Sequence, residues 1–417
     1  MFLLKLAYKN LFRYWKRTLI TALIIGMAVF VYLIMDSMLL GMEDMTYDNI
    51  IKYESGHIQI AKKEYWEDKD ELPLENLMSL EPGFDKNLKN IDGYISKSPQ
   101  LRFQALLNSQ GDELPVIGYG INPDQALEVF ELKESLVEGS FFSKEESKVV
   151  LGKTLAELME VNLNDYITLI FRTSTETFNT IDAQVSGLLE TTNPNINNNF
   201  VFLPLDIAQR TLSVGNNISR IVIRLDDKNQ VNNAKNQIQN ILDNNFDNVG
   251  VYAWNELEVA EVLNVDQVIS KFLLAIILTI GAMGIINTVI LAALERMEEI
   301  GMMKALGLKE KEIVFMFMYE SIGIGIIGVV VGSILGALFI WYSVNFGLDY
   351  SIFMEGGGEK IMGDVGFPME TQIYSSWNTN AFIIVNSFGL ITSAVASIFP
   401  AYWAAKKDPV KAIQHRK

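Results

Sequence analysis

Apolar positions along this chain fall into two regimes. Residues 19–40, 268–294, 315–344 and 380–401 form four almost uninterrupted apolar runs. Each is long enough to cross a bilayer as a helix, which takes roughly 20 residues. Between the first and second runs, over 41–266, the pattern changes to the shorter periods of a soluble domain. Gly56-His57-Ile58-Gln59-Ile60 alternates as a strand does, a helix is expected over 85–96, and strands over 102–107 and 115–119. Further on, Ile221, Ile223 and Leu225 share one face of a strand. Val231, Ala234, Ile238, Ile241 and Leu242 then fall at helical spacing, and 250–254 resumes a strand. The two ends of the domain thus spell β-α-β-β-α-β, the ferredoxin-like order. The stretch between them, about 136–214, carries strand signals of its own at 149–151, 166–171, 183–189 and 200–203.

The expected architecture is an α-helical membrane domain of four transmembrane helices plus a large extracytoplasmic α/β domain, a ferredoxin-like subdomain with a β-rich inserted subdomain. Along the chain this gives an amphipathic N-terminal segment (1–18), a first span (19–40), the soluble domain (41–266) and a second span (267–294). Beyond these come a short cytoplasmic helix (295–312), a third span (313–345), an external loop (346–379), a fourth span (380–403) and a tail (404–417). The asparagine-rich stretch 193–199 is expected to be a mobile polar loop.

Charge adds orientation. Lys5, Lys9, Arg13, Lys16 and Arg17 precede the first span, and Lys406, Lys407, Lys411, Arg416 and Lys417 succeed the fourth against Asp408 alone. The loop between spans three and four holds Asp349, Glu355, Glu359, Asp364 and Glu370 against Lys360. The positive-inside rule therefore places both termini in the cytoplasm. The first apolar run exceeds the ~7–15 residues of a signal-peptide core and is read as a retained anchor that exports the soluble domain. In composition, 49% hydrophobic residues and 20% charged residues coexist in 417, with a mean hydropathy of +0.19. The chain has no cysteine and only His57 and His415, which excludes disulfides and argues against a histidine metal site. A net charge of −16 argues against a nucleic-acid partner.

Several motifs are decoys. Gly152-Lys153-Thr154 ends like a phosphate loop, but the glycine required five positions before Gly152 is Ser147. Gly323-Ile324-Gly325-Ile326-Ile327-Gly328 matches a dinucleotide fingerprint inside a membrane span, where no strand precedes it. Its continuation through Gly328, Gly332 and Gly336 is a small-residue stripe for close helix packing. Asp36 and Lys271, near the outer span ends, suggest a polar pair or pathway, with snorkelling as the plainer reading. The methionines of spans one to three, Met27, Met35 and Met283 among them, suit an adaptable apolar surface or simple core filling. His57 has no nucleophile beside it and is read as structural. No catalytic set and no metal-ligand cluster emerges.

The run Glu295-Arg296-Met297-Glu298-Glu299-Ile300-Gly301-Met302-Met303-Lys304-Ala305-Leu306-Gly307 is different. Ile300, Met303, Leu306 and Met297 fall on one helical face and charges on the other. Such a helix docks into a groove of a cytoplasmic partner or lies on the membrane surface. Together with Glu320 and the glycines of the third span, and with the ending Pro400-Ala401…Asp408-Pro409-Val410-x-Ala412, this run resembles the signature of FtsX/MacB-type (type VII) ABC transporter permeases. Segments of the soluble domain (55–60, 149–156 and 201–209) resemble the lipoprotein-releasing LolC/LolE permeases in particular.

The resemblance implies a multi-pass protein of the bacterial inner membrane with a periplasmic domain, working as a mechanotransmission device. It implies that Glu295, Arg296, Glu299, Ile300, Gly301, Met303, Lys304, Leu306 and Gly307 form the coupling helix that meets cytoplasmic ABC ATPase subunits. The chain then carries no cofactor itself, and ATP and Mg belong to an ATPase expected as a separate polypeptide. A second permease chain, a lipoprotein substrate, a periplasmic lipoprotein carrier and membrane lipids complete the implied partners. Substrate would enter sideways from the membrane between span one of one chain and span two of the other, against Met27, Phe30, Val31 and Ile34 in span one and Ile276, Ile277 and Ile280 in span two. The rival readings are a MacB-like exporter of peptides or drugs and an FtsX-like activator of a cell-wall hydrolase that transports nothing.

Overall fold

The computed structural model describes residues 2–79, 88–89, 91–144, 146–243, 248–349 and 372–406, without the side chains of 2–5, 243, 258–266 and 293. Asp408–Ala412 of the closing motif and Glu355, Glu359, Lys360, Asp364 and Glu370 of the external loop lie outside the described residues. Two compact units emerge. A helical unit takes in Met1–Asp44, Leu263–Tyr350 and Gln372–Lys417, and an α/β unit takes in Met45–Val262 and Ser351–Thr371.

The helical unit is built from α1 (Phe2–Arg13), α2 (Trp15–Ile50), α3 (Glu258–Glu295), α4 (Met297–Ala305), α5 (Glu310–Phe346) and α6 (Thr379–Lys406). Of these, α2, α3, α5 and α6 are long and apolar enough to cross a membrane. α2 and α3 extend well beyond the apolar runs. α2 continues through Met42-Glu43-Asp44-Met45 to Ile50, because helix propensity, unlike membrane burial, is indifferent to polarity here. Inside the unit the glycine stripe of α5 lies on α2. A Cβ on Gly328 would stand 2.7 Å from the Ala22 carbonyl oxygen, and one on Gly332 would stand 2.4 Å from that of Gly26. Glycine here lets two backbones meet where apolar lipid offers no drive for association. Ile25, Val29, Leu33, Ile324, Val329 and Val385 fill the seam. Asp36 accepts a hydrogen bond from Asn378 Nδ2 (2.9 Å), so its partner is not Lys271, which is exposed on α3.

The α/β unit has strands β1 (Ile58–Lys62), β2 (Met78–Ser79), β3 (Tyr94–Ser109), β4 (Asp112–Ile121), β5 (Leu136–Gly139), β6 (Lys148–Gly152), β7 (Tyr166–Arg172), β8 (Phe178–Leu189), β9 (Phe200–Pro204), β10 (Asn217–Ile218), β11 (Arg220–Leu225) and β12 (Val249–Ala253). Four of them stand in the order β12-β1-β11-β3, all antiparallel, which along the chain counts as 4-1-3-2. The helix Val231–Asp243 covers this sheet through Val231, Ala234, Ile238 and Leu242. The helix expected over 85–96 has residues 85–87 and 90 outside the described ones, and Tyr94–Ser96 is already strand.

β3 is long because it serves two pairings. Its first half pairs with β11, and its second half pairs with β4 on one side and β7 on the other. From there the ladder runs β4 to β9, β9 to β6, β6 to β8 and β8 back to β7. The stretch read as an insert therefore closes into a barrel with β3 and β4, and no sheet edge separates it from the first sheet. One face of every barrel strand points inward, as period-2 alternation requires: Phe103 and Leu107 from β3, Val116 from β4, Leu151 from β6, Leu169 from β7, Val185 from β8 and Val201 from β9.

Residues 193–199 correct the expected loop. Pro194–Asn199 is a helix whose N-cap, Asn193, accepts from the Asn195 N–H (2.9 Å). Asn197 bonds Thr191, Asn193 Nδ2 donates to Glu54 (3.1 Å), and Ile196 is fully buried. Asparagine side chains that satisfy the backbone and each other turn a polar tract into a folded element. Arg220, buried in the sheet, donates to Gln100 (2.9 Å), Gln59 (2.8 Å) and the Glu54 carbonyl (3.3 Å), which closes the π-turn Ile51–Ser55 after α2. Burial and the nearby Arg102 guanidinium lower its pKa to about 10.

His57 is buried and accepts through Nδ1 from the Leu225 N–H (3.3 Å). Burial and the Arg224 guanidinium push its imidazole from its ordinary 6.5 down to about 4. Between those values the unfolded chain binds a proton that the folded one refuses. The contribution of His57 is thus complete above about pH 6.5 and is lost as pH falls towards 4. Thermal unfolding of His57→Asn, which keeps an acceptor but cannot titrate, is expected to depend less on pH between 7 and 4 than that of the parent. An equal slope in both would remove His57 from the pH response.

Candidate functional site

The turn from α3 into α5 concentrates charge inside an otherwise apolar unit. α3 ends at Glu295, Arg296 is the link, and α4 comes next, ended by Gly307 at φ +95°. That left-handed angle suits glycine, and it lets the Leu308 N–H reach back to the Met303 carbonyl (3.2 Å). Glu312 then accepts from the Lys309 N–H (2.8 Å) and opens α5.

Arg296 and Glu320 are both buried, with side chains 4% exposed, and pair at 2.6 Å. The other Glu320 oxygen accepts from Arg17 of α2 at 2.9 Å, and Arg17 also donates to the Ala292 carbonyl at the end of α3 (3.2 Å). Tyr14, in the break between α1 and α2, donates its hydroxyl to Glu299 of α4 and lays its ring under the Arg296 guanidinium (4.3 Å). Arg296 lies 3.9 Å from Glu299 as well. Two arginines and two glutamates thus balance one another and fasten α2, α3, α4 and α5 at one point. Nearby, Lys304 donates to the Ala405 carbonyl in the last turn of α6 (2.6 Å), a cation set on the negative end of a helix.

The residues of the 295–307 run divide by direction. Ile300 is buried against Ala7, Ile313, Met316, Phe317, Ala401 and Ala404, and Met297 and Met303 pack on the same cluster. The apolar face expected to dock with a partner, Ile300 and Met303 with Leu306, is therefore used within the unit except at Leu306. What faces outward is Glu295, Glu298, Met302 (52% exposed), Ala305 and Leu306 (82% exposed). The cause is the neighbouring helices: α1, α5 and α6 supply a groove that the helix alone does not reveal. Tyr14 and Arg17 were missed from sequence. Arg17 was read only as one of the cations preceding the first apolar run, whereas the structure places it within α2.

The residues expected against substrate are scattered. Met27, Ile276 and Ile280 are exposed, Phe30 packs edge-on to Phe339 of α5 (6.3 Å), and Val31 and Ile34 are half-buried. Ile277 packs into the seam of the unit. Of the decoys, Lys153 is held by Glu190 (2.8 Å) and a Cβ on Gly152 would stand 2.3 Å from the Asn197 carbonyl oxygen, so no phosphate cradle forms there.

Four candidate spans, a barrel-bearing α/β unit between the first two, and a charge-locked helix between the second and third define a polytopic membrane protein with one large soluble domain. Residues 18–241 match the MacB-like periplasmic core domain and residues 271–409 match the FtsX-like permease C-terminal domain. The chain belongs to the MacB/FtsX-type (type VII) family of ABC transporter permeases and is a membrane protein with an extracytoplasmic domain. It is 22% identical over 327 residues to the lipoprotein-releasing system transmembrane protein LolC of Xylella fastidiosa, which covers 76% of this chain and 77% of that one. It is 23% identical to the macrolide export ATP-binding/permease protein MacB of Nitrobacter winogradskyi, over 81% of this chain and half of that longer one. The crystal structure of the periplasmic region of MacB from Actinobacillus actinomycetemcomitans is 16% identical, over 52% of this chain and 96% of that one, with a TM-score of 0.37.

Proposed function

We propose that this chain is the permease subunit of an ATP-driven system that extracts lipoproteins from the membrane and hands them to a soluble carrier. The observation that carries the reading is the division of the 295–307 helix. Its inward residues lock it to α2, α3, α5 and α6, and its outward stripe of Glu298, Met302 and Leu306 is left for a partner. A rigid lever with an exposed apolar tip fits a cytoplasmic ATPase, which would hold the ATP and Mg. Motion of such a helix would pass through α3, unbroken from Glu258 to Glu295, towards the α/β unit, whose ferredoxin-like sheet and barrel would act on cargo. Lipoprotein as cargo is supported by the LolC relative, matched over three quarters of both chains. A MacB-like exporter is the second reading, favoured by the match of residues 18–241 to the MacB-like domain.

Purification from native membrane in mild detergent, with mass spectrometry of the bound material, tests the reading. A co-purifying ATPase with acylated lipoproteins supports it. An ATPase with an adaptor protein moves the assignment to export, and no ATPase overturns it. Met302→Asp combined with Leu306→Asp is expected to cut ATPase retention at least tenfold. Exposed positions of this kind change stability by only about 0.5 kcal/mol each. Full retention in that variant would remove the stripe from the interface.

A further inference from the structure

The first 35 residues contain no aspartate or glutamate, although the whole chain carries a net charge of −16. Within them α1 is held on α5. Leu6 and Ala7 pack with Ile313, Met316 and Phe317, and Leu11 seats on Gly323, where a Cβ would stand 2.8 Å from its Cδ1. Thr18 Oγ1 donates to the Leu11 carbonyl (3.1 Å) and ties the end of α1 to α2 across the break at Tyr14. This docking fixes what faces away. Tyr8, Phe12, Trp15 and Leu19 follow one another at steps of four, three and four, all exposed, with Tyr8 edge-on to Phe12 (5.1 Å). One residue after each ring stand Lys9, Arg13 and Lys16, exposed as well. None of these three cations has a carboxylate within ion-pair distance among the described residues. The positive-inside rule asks only for cations beside a span, in any arrangement. It does not ask them to run alongside an aromatic stripe. Water would make that stripe costly, and acyl chains alone would do the same to the cations. The setting that suits both is the boundary of the two, with rings beside the acyl chains and charged tips among the headgroups.

We infer that this face, from Tyr8 on α1 to Leu19 on α2, binds anionic phospholipid headgroups of the adjacent leaflet. Lys9 and Lys16 offer ammonium donors, and Arg13 offers a planar fork that meets a phosphate through two parallel hydrogen bonds. A zwitterionic headgroup balances its own phosphate with its amine, so unpaired cations prefer a headgroup of net negative charge. Phe12, Trp15 and Leu19 lie beside them, against the glyceryl and upper acyl region. The stripe runs on into the apolar span through Leu23 and Met27, both exposed, so a soluble acidic partner would have to displace lipid to cover it.

The full chain in mild detergent, mixed with equal amounts of phosphatidylglycerol and phosphatidylcholine, is analysed by native mass spectrometry for the lipid it retains. Phosphatidylglycerol is expected to be retained over phosphatidylcholine by about tenfold or more, since each cation near an anionic headgroup layer contributes about fivefold. Arg13→Gln is expected to lower that excess about fivefold, and Arg13→Lys to keep most of it. Lys311→Gln, which removes an exposed cation at the start of α5, is expected to leave it unchanged. All of these positions are exposed, so the variants are expected to fold. Equal retention of the two lipids overturns the inference, and so does a loss in Lys311→Gln that matches the loss in Arg13→Gln. ATPase retention is scored on the same samples. A loss of ATPase in Arg13→Gln with lipid unchanged gives the face to a protein partner and overturns the inference as well. Lipid preference without any ATPase leaves this face standing and removes the proposed function, and ATPase without lipid preference does the reverse.

Discussion

Glu320→Gln is expected to destabilise the helical unit by about 3–5 kcal/mol, the usual cost of breaking a buried ion pair from one side. The glutamate receives Arg296 at 2.6 Å and Arg17 at 2.9 Å, so its neutralisation removes the carboxylate that both cations share and leaves Glu299, 3.9 Å from Arg296, as that arginine's remaining ion pair. Arg17, 20% exposed at its side chain, has a way to water, whereas Arg296 has none. The loss should therefore appear mainly through Arg296. Denaturation of the full chain in detergent measures it. The double variant Arg296→Met with Glu320→Leu should cost less than the two single changes added, because two buried charges leave together. Losses under 1 kcal/mol that simply add would mean the charges are solvated and lock nothing.

Phe103→Ala should cost the α/β unit about 3–5 kcal/mol, as large-to-small changes at fully buried aromatics do. Phe103 is 1% exposed, packs edge-on against Phe171 (5.5 Å) and lies over Gly118 of the paired strand. A Cβ on Gly118 would stand 2.2 Å from the ring, so Gly118→Ala should also destabilise, by displacing the ring rather than by emptying its place. Thermal unfolding of the full chain, monitored in the near ultraviolet, reads both. A loss under 1 kcal/mol for Phe103→Ala would mean the barrel collapses around the gap.

Some strands were readable from a period of two, as β7 is, and others, such as β6 and β9, from short apolar runs buried on both faces. Ile221, Ile223 and Leu225 point to one side whatever strand lies next to them. The barrel was not readable, because it depends on β3 carrying β11 along one half and β7 along the other. No local pattern announces where a long strand changes neighbours. The asparagine tract was misread for a related reason. Polar composition suggests a loop only while those side chains face water, and here Asn193, Asn195 and Asn197 bond the chain and Glu54.

At the candidate site, the 295–307 run stood out through its charges and glycine, yet helical periodicity did not reveal the use of each residue. Glu299, expected to meet an ATPase, accepts from Tyr14, and Ile300 is covered by α1, α5 and α6. The residues left for a partner are Met302 and Leu306. A helical wheel gives which residues share a face, not which face the neighbouring helices cover.

What the sequence determined by itself is what depends on local chemistry: four apolar runs long enough for a membrane, the flanking charge, and the strand and helix periods. What only the tertiary structure decided is pairing over long separations. Arg17 reaches Glu320 across 303 residues, and Tyr14 reaches Glu299 across 285. The reason is physical: periodicity is fixed by the backbone within a few residues, whereas the partner of a buried charge is fixed by which helices pack together.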